Sequence, residues 1–459
     1  MIALRLAELV QVLDARLLGE DCVIDAISTD TRNAMPRALF IALSGERFDA
    51  HDFADKALEQ GAAALLVERP LTLPLPQLVV ADTRIALGLL ASYVREKLNL
   101  TCCAITGSNG KTTVKEMSSA ILGQAFQVLA TQGNFNNDIG VPLSLLRATE
   151  QHQLGVLELG ANHIGEIAYT VKLVQPRVAL INNVSAAHIE GFGSQQGVLK
   201  AKSELFGGLG AEQLALCEYA SDYQDYLDQA AMPAQVQHFS LDNTAADYYA
   251  SDIQALGLQG SRFNLHSPMG QIELQINLAG LHNVKNAVAA SALALNMGAS
   301  LNQVQQGLAS MAAVPGRLNL QSLTRNIDLI DDSYNANPAS FKAAINILAG
   351  FEGKRFLIAG AMGEMGKQTK QAHQELIDQA LDRDISLYSY GASFDEVLAE
   401  MGLTSLAFDN HDILTKQLIA ALEQQAEQAC LVLVKGSRST HMEKVVQQLQ
   451  QHFKKGLPC

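Results

Sequence analysis

Residues 106–113, with the sequence TGSNGKTT, have the types and order of a loop that binds phosphate groups. The loop follows an apolar run at 102–105 that predicts a buried strand, and it precedes a segment with helical periodicity. Glycines let backbone N–H groups converge on phosphate oxygens, and the start of a helix adds partial positive charge. Lys111 is then suited to the β- and γ-phosphates and the Thr112 hydroxyl to Mg²⁺. A glycine turn beside a solvated lysine would leave the order of strand, loop and helix unexplained.

The loop departs from the G-x-x-x-x-G-K-[ST] pattern, because only two residues separate Gly107 from Gly110 and Ile105 stands at the usual first glycine. Its context still predicts an ATP site at the carboxyl end of a parallel sheet. The predicted nucleotide-binding residues of this segment are Gly107, Ser108, Asn109, Gly110, Lys111, Thr112 and Thr113.

Glu158 is an acidic residue in an apolar strand run, just before a turn at Gly160. A carboxylate buried there is costly unless a cation or a hydrogen-bond donor pairs with it. Because ligands of open parallel sheets gather at this edge, we predict Mg²⁺ as the partner of Glu158. The alternative is an outward-facing glutamate or a local salt bridge.

Spacing alone leaves two basic residues without an assigned role. His188 follows the strand predicted at 178–181 and lies at the same sheet edge, but a single histidine is more often structural than a ligand. Lys202 belongs to the amphipathic segment 200–206, where composition alone indicates a solvated charge.

The segment 331–338, DDSYNANP, ends another predicted strand in a polar loop. Asn337 is predicted to cap the next helix, with Pro338 at its first position. A capped turn does not explain the adjacent acids Asp331 and Asp332. Ligand contact and an ordinary turn therefore both stay open for this acid pair.

Composition limits the class of protein. The 459 residues give a prior of about three domains. Against 33 Lys and Arg stand 47 Asp and Glu, a net charge of −14, which argues against a nucleic-acid partner. The six cysteines form no CxxC pair, and no apolar run approaches the length of a membrane span. We expect a cytoplasmic protein with reduced thiols and no membrane insertion, and the GxxGxxG order at 360–366 disfavours an NAD enzyme.

Three α/β regions follow one another along the chain. Residues 1–82 predict a small domain, 83–314 a central domain built on a parallel sheet, and 315–459 a third α/β domain. Within the central region, 245–280 alternates with period two and predicts an antiparallel hairpin or edge.

Together these segments resemble the Mur ligases, ATP-dependent enzymes of cell-wall precursor synthesis, over essentially the whole chain. The N-terminal segments and DDSYNANP favour the member that joins D-alanyl-D-alanine to UDP-N-acetylmuramoyl-tripeptide. The motifs that carry the resemblance are STDTR at 28–32, GERFDAHDF at 45–53, TGSNGKTT at 106–113, GNFNNDIGVPLSLL at 133–146, LELGAN at 157–162, HIEGFGS at 188–194, AKSELF at 201–206, GLHNVKNA at 280–287, PGR at 315–317 and DDSYNANP at 331–338.

The resemblance implies a UDP-sugar-binding N-terminal domain, a central P-loop ATPase-like domain and a C-terminal Rossmann-like domain that closes over the nucleotide. It implies ATP with two Mg²⁺ ions, held through Thr112, Glu158, His188 and a carbamylated Lys202. The residues that it assigns to catalysis are Lys111, His188, Lys202 and Arg317. Those that it adds to the ATP site are Asn283, Asn286, Arg317 and Asp332, and those that it assigns to the UDP group are Ser28, Thr31 and Arg32.

Two alternatives stay open at this point. One is another ligase of the superfamily, of the diaminopimelate-adding or folylpolyglutamate type, which an amine-acceptor screen would separate. The other is a nucleotide-dependent switch that hydrolyses ATP without making a bond.

Overall fold

The computed structural model describes residues 1–45, 48–185, 189–311, 314–425 and 427–454. In the N-terminal region a five-stranded sheet has the order β2-β9-β8-β5-β4, parallel except for the edge pair β2–β9. The elements are β1 (Leu4–Arg5), α1 (Leu6–Val12), β2 (Arg16–Leu18), β3 (Val23–Ile24), β4 (Ala26–Ser28), β5 (Ala38–Ile41), β6 (Ser44–Gly45), β7 (Phe48–Asp49), a 3₁₀ turn (Ala50–Phe53), α2 (Ala54–Glu59), β8 (Ala64–Val67) and β9 (Gln77–Val79).

The central region contains a six-stranded parallel sheet, order β11-β12-β10-β13-β14-β15, and a three-stranded antiparallel sheet, order β16-β17-β18. Its elements are α3 (Thr83–Lys97), β10 (Thr101–Thr106), α4 (Lys111–Leu122), β11 (Val128–Ala130), α5 (Gly140–Leu145), β12 (Leu154–Glu158), α6 (Glu166–Val174), β13 (Val178–Ile181), α7 (Ile189–Phe192), α8 (Gln195–Gly207), β14 (Leu214–Glu218), α9 (Gln224–Ala231), β15 (Gln235–Phe239), β16 (Tyr249–Ala255), a 3₁₀ turn (Gly257–Gln259), β17 (Ser261–Ser267), β18 (Gly270–Ile276), α10 (Leu281–Asn296) and α11 (Leu301–Ala309).

The C-terminal region has a six-stranded sheet, order β19-β20-β24-β21-β22-β23, in which only β19 runs antiparallel. Its elements are β19 (Asn319–Ser322), β20 (Ile327–Asp332), α12 (Pro338–Ala349), β21 (Lys354–Gly360), a 3₁₀ turn (Gly366–Gln368), α13 (Thr369–Leu381), β22 (Ser386–Tyr390), α14 (Ala392–Glu400), a 3₁₀ turn (Thr404–Leu406), β23 (Ala407–Phe408), α15 (His411–Gln424), β24 (Cys430–Lys435), a 3₁₀ turn (Arg438–Thr440) and α16 (Glu443–Lys454).

The central parallel sheet is buried on both faces, as its continuous apolar strands predict. Along β10, Ala104 packs into the core shared with α3, α5 and α6. Its neighbours Cys103 and Ile105 point the other way, into the core formed with α4, α10 and the antiparallel sheet. A strand enclosed in this way brings its carboxyl end, and the loop that follows it, to a fixed place.

The predicted strands and the antiparallel segment are confirmed, although the segment forms three strands and not a single hairpin. The α/β class is confirmed as well, while the boundaries near residues 82 and 314 stay predictions. Within the described part of the chain, no helix has the length and apolar character needed to cross a membrane.

The close contact between α4 and α11 depends on Gly307. A Cβ atom built there would lie 2.4 Å from the Cα atom of Ile121, so the two backbones meet with no room for a side chain. On α8, a Cβ atom at Gly207 would have no atom within 4 Å. Alanine substitutions at these two helical glycines therefore distinguish the effect of steric crowding from the effect of helix propensity.

We expect Gly307→Ala to lower the free energy of unfolding by about 1–3 kcal/mol, because overpacking moves two helices apart. The control Gly207→Ala should leave it unchanged or raise it by up to about 1 kcal/mol, because alanine restricts the unfolded chain. Urea unfolding of both variants measures the difference. Equal effects at the two positions would contradict the packing argument.

Candidate active site

The phosphate loop lies between β10 and α4, where the sequence predicts it, and forms one wall of a cleft of about 880 Å³. The opposite walls come from α10 and from C-terminal segments around residues 316–318, 332–344 and 435–441. Gly110 has a φ of 77°, and a Cβ atom there would come within 2.6 Å of amide atoms of Asn182 and Asn286. The loop therefore requires glycine at this position for both its backbone and its neighbours.

Lys111 is the basic residue at the centre of the cleft. Its Nζ donates to the carbonyl oxygen of Gly107 at 2.8 Å. Burial lowers the pKa of Lys111, and nearby Arg317 lowers it further, while Glu158 acts in the opposite direction. A ligand with several negative charges would relieve this concentration of positive charge.

Glu158 ends β12 and is buried, with an exposed fraction of 2%. Its Oε2 accepts from the Thr112 hydroxyl at 2.8 Å, and its Oε1 accepts from Asn136 Nδ2 at 2.8 Å. The alternative of an outward-facing glutamate is therefore wrong. The contact with Asn136 is one that the sequence analysis missed, although Asn136 belongs to the GNFNND segment quoted there.

A second layer of contacts fixes the backbone that carries Glu158. The backbone N–H of Glu158 donates to Thr131 Oγ1 at 3.0 Å. The carbonyl oxygen of Thr131 in turn accepts from Lys115 Nζ at 2.8 Å. Lys115 is itself buried and also donates to the Glu116 carboxylate, so its charge is neutralised by a neighbouring residue.

Lys202, on α8, is buried with an exposed fraction of 2%, so the solvated charge indicated by composition is wrong. Burial lowers the pKa of Lys202 to about 7, with a further contribution from Lys111, while Glu158 opposes the shift. Its Nζ lies 5.9 Å from the centre of the Phe192 ring. A substantial fraction of the amine is consequently neutral at physiological pH.

His188 lies outside the described residues. Asn183 and Ser185, which follow β13, line the cleft, and Ser108 Oγ donates to the carbonyl oxygen of Ser185 at 2.9 Å. The backbone N–H of Asn109 donates to Asn183 Oδ1 at 2.8 Å. The loop after β13 therefore braces the phosphate loop, a role for Asn183 and Ser185 that sequence spacing did not indicate.

Asn283 and Asn286, predicted for the ATP site, both line the cleft from α10 and are buried. Asn286 Nδ2 donates to Asn283 Oδ1 at 3.2 Å, and Asn286 Oδ1 accepts from Asn182 Nδ2 at 2.9 Å. Asn182 Nδ2 also reaches the carbonyl oxygen of Asn109 at 3.0 Å. A chain of neutral amides thus joins α10 to the phosphate loop.

Arg317 enters the cleft from a turn that the acid pair holds in place. The N–H of Gly316 donates to Asp331 Oδ2 at 3.0 Å, and the N–H of Leu318 donates to Asp332 Oδ1 at 3.2 Å. The guanidinium of Arg317 lies 4.3 Å from the centre of the Tyr334 ring. The acid pair therefore shapes the turn that presents Arg317 to the cleft, while ligand contact by the acids stays a prediction.

Asp332 has a second partner. Its Oδ2 accepts from Lys435 Nζ at 2.6 Å, and Lys435 is itself buried and lines the cleft. Asp331 is buried behind the turn, whereas Asp332 lines the cleft. Of the two acids, only Asp332 is therefore placed to meet a ligand.

A direct hydrogen bond joins the C-terminal region to the phosphate loop. Asn337 caps α12 in a capping box with Ser340, and Pro338 occupies the first turn, as predicted. The side-chain nitrogen of Asn337, Nδ2, donates to Asn109 Oδ1 at 2.6 Å. The side-chain oxygen of Asn337 thus caps the helix while its nitrogen contacts the loop.

Ser28, Thr31 and Arg32 lie apart from this cleft, at the end of β4 and in the turn that follows. Ser28 Oγ donates to the carbonyl oxygen of Asp30 at 2.9 Å, and the Arg32 guanidinium pairs with the Asp30 carboxylate. Arg32 holds the pKa of Asp30 at about 2. Thr31 is buried, whereas the side chain of Arg32 is exposed.

The fold and the cleft are those of an α/β protein with a phosphate-binding loop, and family comparisons identify a class of ligases. Three family models match: the Mur ligase family catalytic domain at 23–95, the Mur ligase middle domain at 105–294 and the Mur ligase glutamate ligase domain at 316–438. The chain belongs to the Mur ligase family.

Particular relatives are similar over nearly the whole chain. The UDP-N-acetylmuramoyl-tripeptide–D-alanyl-D-alanine ligase of Escherichia coli K12 is 45% identical, over 98% of this chain and 99% of that protein. A crystal structure of MurF from Acinetobacter baumannii is 39% identical with a TM-score of 0.90, over 96% of this chain and 98% of that one. A structure of MurF ligase from Thermotoga maritima in complex with ADP is 26% identical with a TM-score of 0.82, over 94% and 98%.

The dual role of Asn337 gives a test of the contact between regions. Asn337→Asp keeps an oxygen that caps α12 but places an oxygen opposite Asn109 Oδ1. We expect amide exchange in residues 106–112 to become about fivefold faster, corresponding to one lost hydrogen bond, while exchange in α12 stays unchanged. Hydrogen–deuterium exchange with mass spectrometry measures both segments.

Asn337→Ala is the matched control, since it removes the cap and the contact together and should speed exchange in both segments. If the phosphate loop exchanges at the original rate in both variants, Asn337 does not restrain it.

Proposed function

We propose that this chain is an ATP-dependent ligase that joins D-alanyl-D-alanine to UDP-N-acetylmuramoyl-tripeptide in peptidoglycan precursor synthesis. The observation that carries the proposal is 45% identity to the Escherichia coli enzyme of that name over nearly the full length of both chains. The cleft supports it, because Lys111, Glu158 and Arg317 gather around the phosphate loop.

ATP is the nucleotide substrate, and the ADP complex of the Thermotoga maritima relative supports this choice. The phosphate-loop residues 107–113 receive the phosphates. Asn283 and Asn286 face the base from α10, and Asp332 faces the ribose. Asp332 can take this role while held by Lys435, since a carboxylate offers about four lone-pair sites.

The proposed enzyme uses two Mg²⁺ ions. One fits beside the Thr112 hydroxyl and the Glu158 carboxylate, which place hard oxygen atoms together in a buried position. When bound, Mg²⁺ neutralises charge on the transferred phosphoryl group. His188 and a carbamylated Lys202 would hold the second ion. A carbamate forms when a neutral amine adds dissolved CO₂ and releases a proton, and the lowered pKa of Lys202 supplies the neutral amine near pH 7.

The chemistry follows from charge repulsion. The tripeptide carboxylate must attack the γ-phosphorus of a polyanion, and like charges at short range repel by several kcal/mol. Lys111 and Arg317 offset that repulsion from opposite sides of the cleft. The carboxylate oxygen forms a bond to phosphorus as the bond to the β-γ bridging oxygen breaks, which gives an acyl phosphate and ADP.

The dipeptide amine then attacks the acyl carbon. The tetrahedral intermediate collapses to the amide with loss of phosphate, and the amine proton passes to solvent or a nearby base. Water would hydrolyse the acyl phosphate, so the C-terminal region must exclude it. The hydrogen bond between Asn337 and Asn109 supports such a closure.

The UDP-sugar is assigned to the N-terminal domain at residues 1–82, with Ser28, Thr31 and Arg32 facing the diphosphate. The exposed Arg32 guanidinium supports a contact with phosphate, although Asp30 competes for it. The other two proposed domains are the central ATP-binding domain at 83–314 and the C-terminal Rossmann-like domain at 315–459. The cytoplasmic location stays a prediction.

Product formation tests the function. We expect continued, multiple-turnover ADP release to require UDP-N-acetylmuramoyl-tripeptide and D-alanyl-D-alanine together, with one amide product formed for each ADP, as measured by coupled assay and mass spectrometry. ADP release without a condensed product would indicate the nucleotide-dependent switch. Preference for diaminopimelate or glutamate as acceptor would indicate another ligase of the superfamily.

Lys202 and Lys200 form a matched pair on α8, one buried and one exposed. We expect Lys202→Ala to lower kcat by roughly 10²–10³-fold, since it removes a charge centre beside the reacting phosphate. Added acetate or formate should restore part of the activity by replacing the carbamate oxygens.

Lys200→Ala should keep the original kcat and show no response to carboxylates. Full activity of Lys202→Ala would refute the carbamate. If Lys202→Ala loses activity, still binds ATP and is not rescued by acetate or formate, the role of Lys202 is structural and the carbamate is refuted.

A further inference from the structure

A second cluster of metal-ligating side chains lies at the edge of the central sheet. Cys217 on β14 and His238 on β15 are register partners in neighbouring parallel strands, so their side chains point to the same face. Asp228 on α9 lies over the same face, between them. In the described residues this is the only group of three or more His, Cys, Asp or Glu ligand atoms close enough to share one ion.

The two separations that involve Asp228 Oδ1 are close to those around a single small cation. The Cys217 thiol contacts Asp228 Oδ1 at 3.6 Å, and His238 Nε2 lies 2.9 Å from the same oxygen. All three ligand atoms lie within 4.8 Å of one another. Ligand atoms around tetrahedral Zn²⁺ are about 3.4–3.6 Å apart. The sulfur–oxygen distance already matches, and the nitrogen–oxygen distance needs to open by about half an ångström.

Outer contacts orient the ligands. The other ring nitrogen of His238, Nδ1, lies 4.0 Å from Asp247 Oδ2, and that oxygen also accepts from the His238 backbone N–H at 2.7 Å. Gln224 Nε2 donates to Asp228 Oδ2 at 3.4 Å. The hydrogen bond from Gln224 orients the Asp228 carboxylate, whereas the 4.0 Å between Nδ1 and Asp247 Oδ2 is too long for a hydrogen bond.

The order of the three groups argues against nucleophilic chemistry. An activated thiol needs the imidazole between itself and the carboxylate. Here the carboxylate oxygen contacts both the thiol and the imidazole, and burial together with Asp228 raises the pKa of the Cys217 thiol. The imidazole is therefore not placed to take the thiol proton.

We propose that Cys217, Asp228 and His238 bind one Zn²⁺ ion, with water as the fourth ligand. Binding forms bonds from the ion to Sγ, Oδ1 and Nε2; the thiol proton leaves to solvent, and the neutral imidazole carries its proton on Nδ1 instead of Nε2. The positive charge of the ion would balance the Cys217 thiolate and the Asp228 carboxylate, and Asp247 adds a further negative charge near His238. The site braces α9, β14 and β15, and it does not depend on the proposed ligase activity.

Co²⁺ tests the site because a cobalt–thiolate bond gives a sulfur-to-metal charge-transfer band, whereas the oxygen-rich nucleotide cleft gives none. The full chain is stripped with chelator, saturated with Mg²⁺ and titrated with Co²⁺. We expect the band to saturate at one equivalent and Zn²⁺ to abolish it. Absence of the band in the parent protein would refute the site.

Cys217→Ser should lose the band, while Cys22→Ser, which alters a half-exposed cysteine elsewhere, should keep it. His238→Gln keeps a polar group beside Asp228 and should weaken Co²⁺ binding at least about tenfold. It provides the test if Cys217→Ser does not fold. A band that persists in Cys217→Ser, or an unchanged affinity in His238→Gln, would overturn the assignment.

Discussion

The buried carboxylate of Glu158 is the constraint on which the site depends. A carboxylate with an exposed fraction of 2% is stable only if donors and cations surround it. Thr112 and Asn136 supply hydrogen bonds to its two oxygens, and Lys111 supplies positive charge nearby. These groups come from a phosphate loop, a polar segment, a strand and a helix. Glu158 can therefore stay buried and ionised only when the central region is folded with all of them in place.

Neutral side-chain amides hold the phosphate loop in place around this charged centre. Asn182, Asn183 and Asn286 connect the phosphate loop to the end of β13 and to α10 without adding charge. Asn337 extends the same kind of contact to the C-terminal region. An amide offers both a donor and an acceptor, so a chain of them holds a loop in place while leaving the net charge of the cleft to the ligand.

Local patterns predicted much of this molecule. The phosphate loop, the strands before and after it and the cap formed by Asn337 depend on short-range spacing, and the structure contains them. The environment of Lys202 was harder to predict, because helical periodicity gives the direction of a side chain but not what packs against it. The contacts of Asn136 and Asn183 were missed for a related reason: asparagines in loops are common, and their partners lie far away along the chain.

The sequence by itself determined the α/β class, the strand that delivers the phosphate loop and the membership of a ligase family, because periodicity, glycine placement and ordered motifs are encoded locally. Only the tertiary structure decided that Lys202 is buried, that Asp331 and Asp332 shape the turn of Arg317, and that Cys217, Asp228 and His238 meet at a sheet edge. These features depend on contacts between segments that are distant in sequence. The free energy of burying a charge or gathering ligands is set by those contacts and not by neighbouring residues.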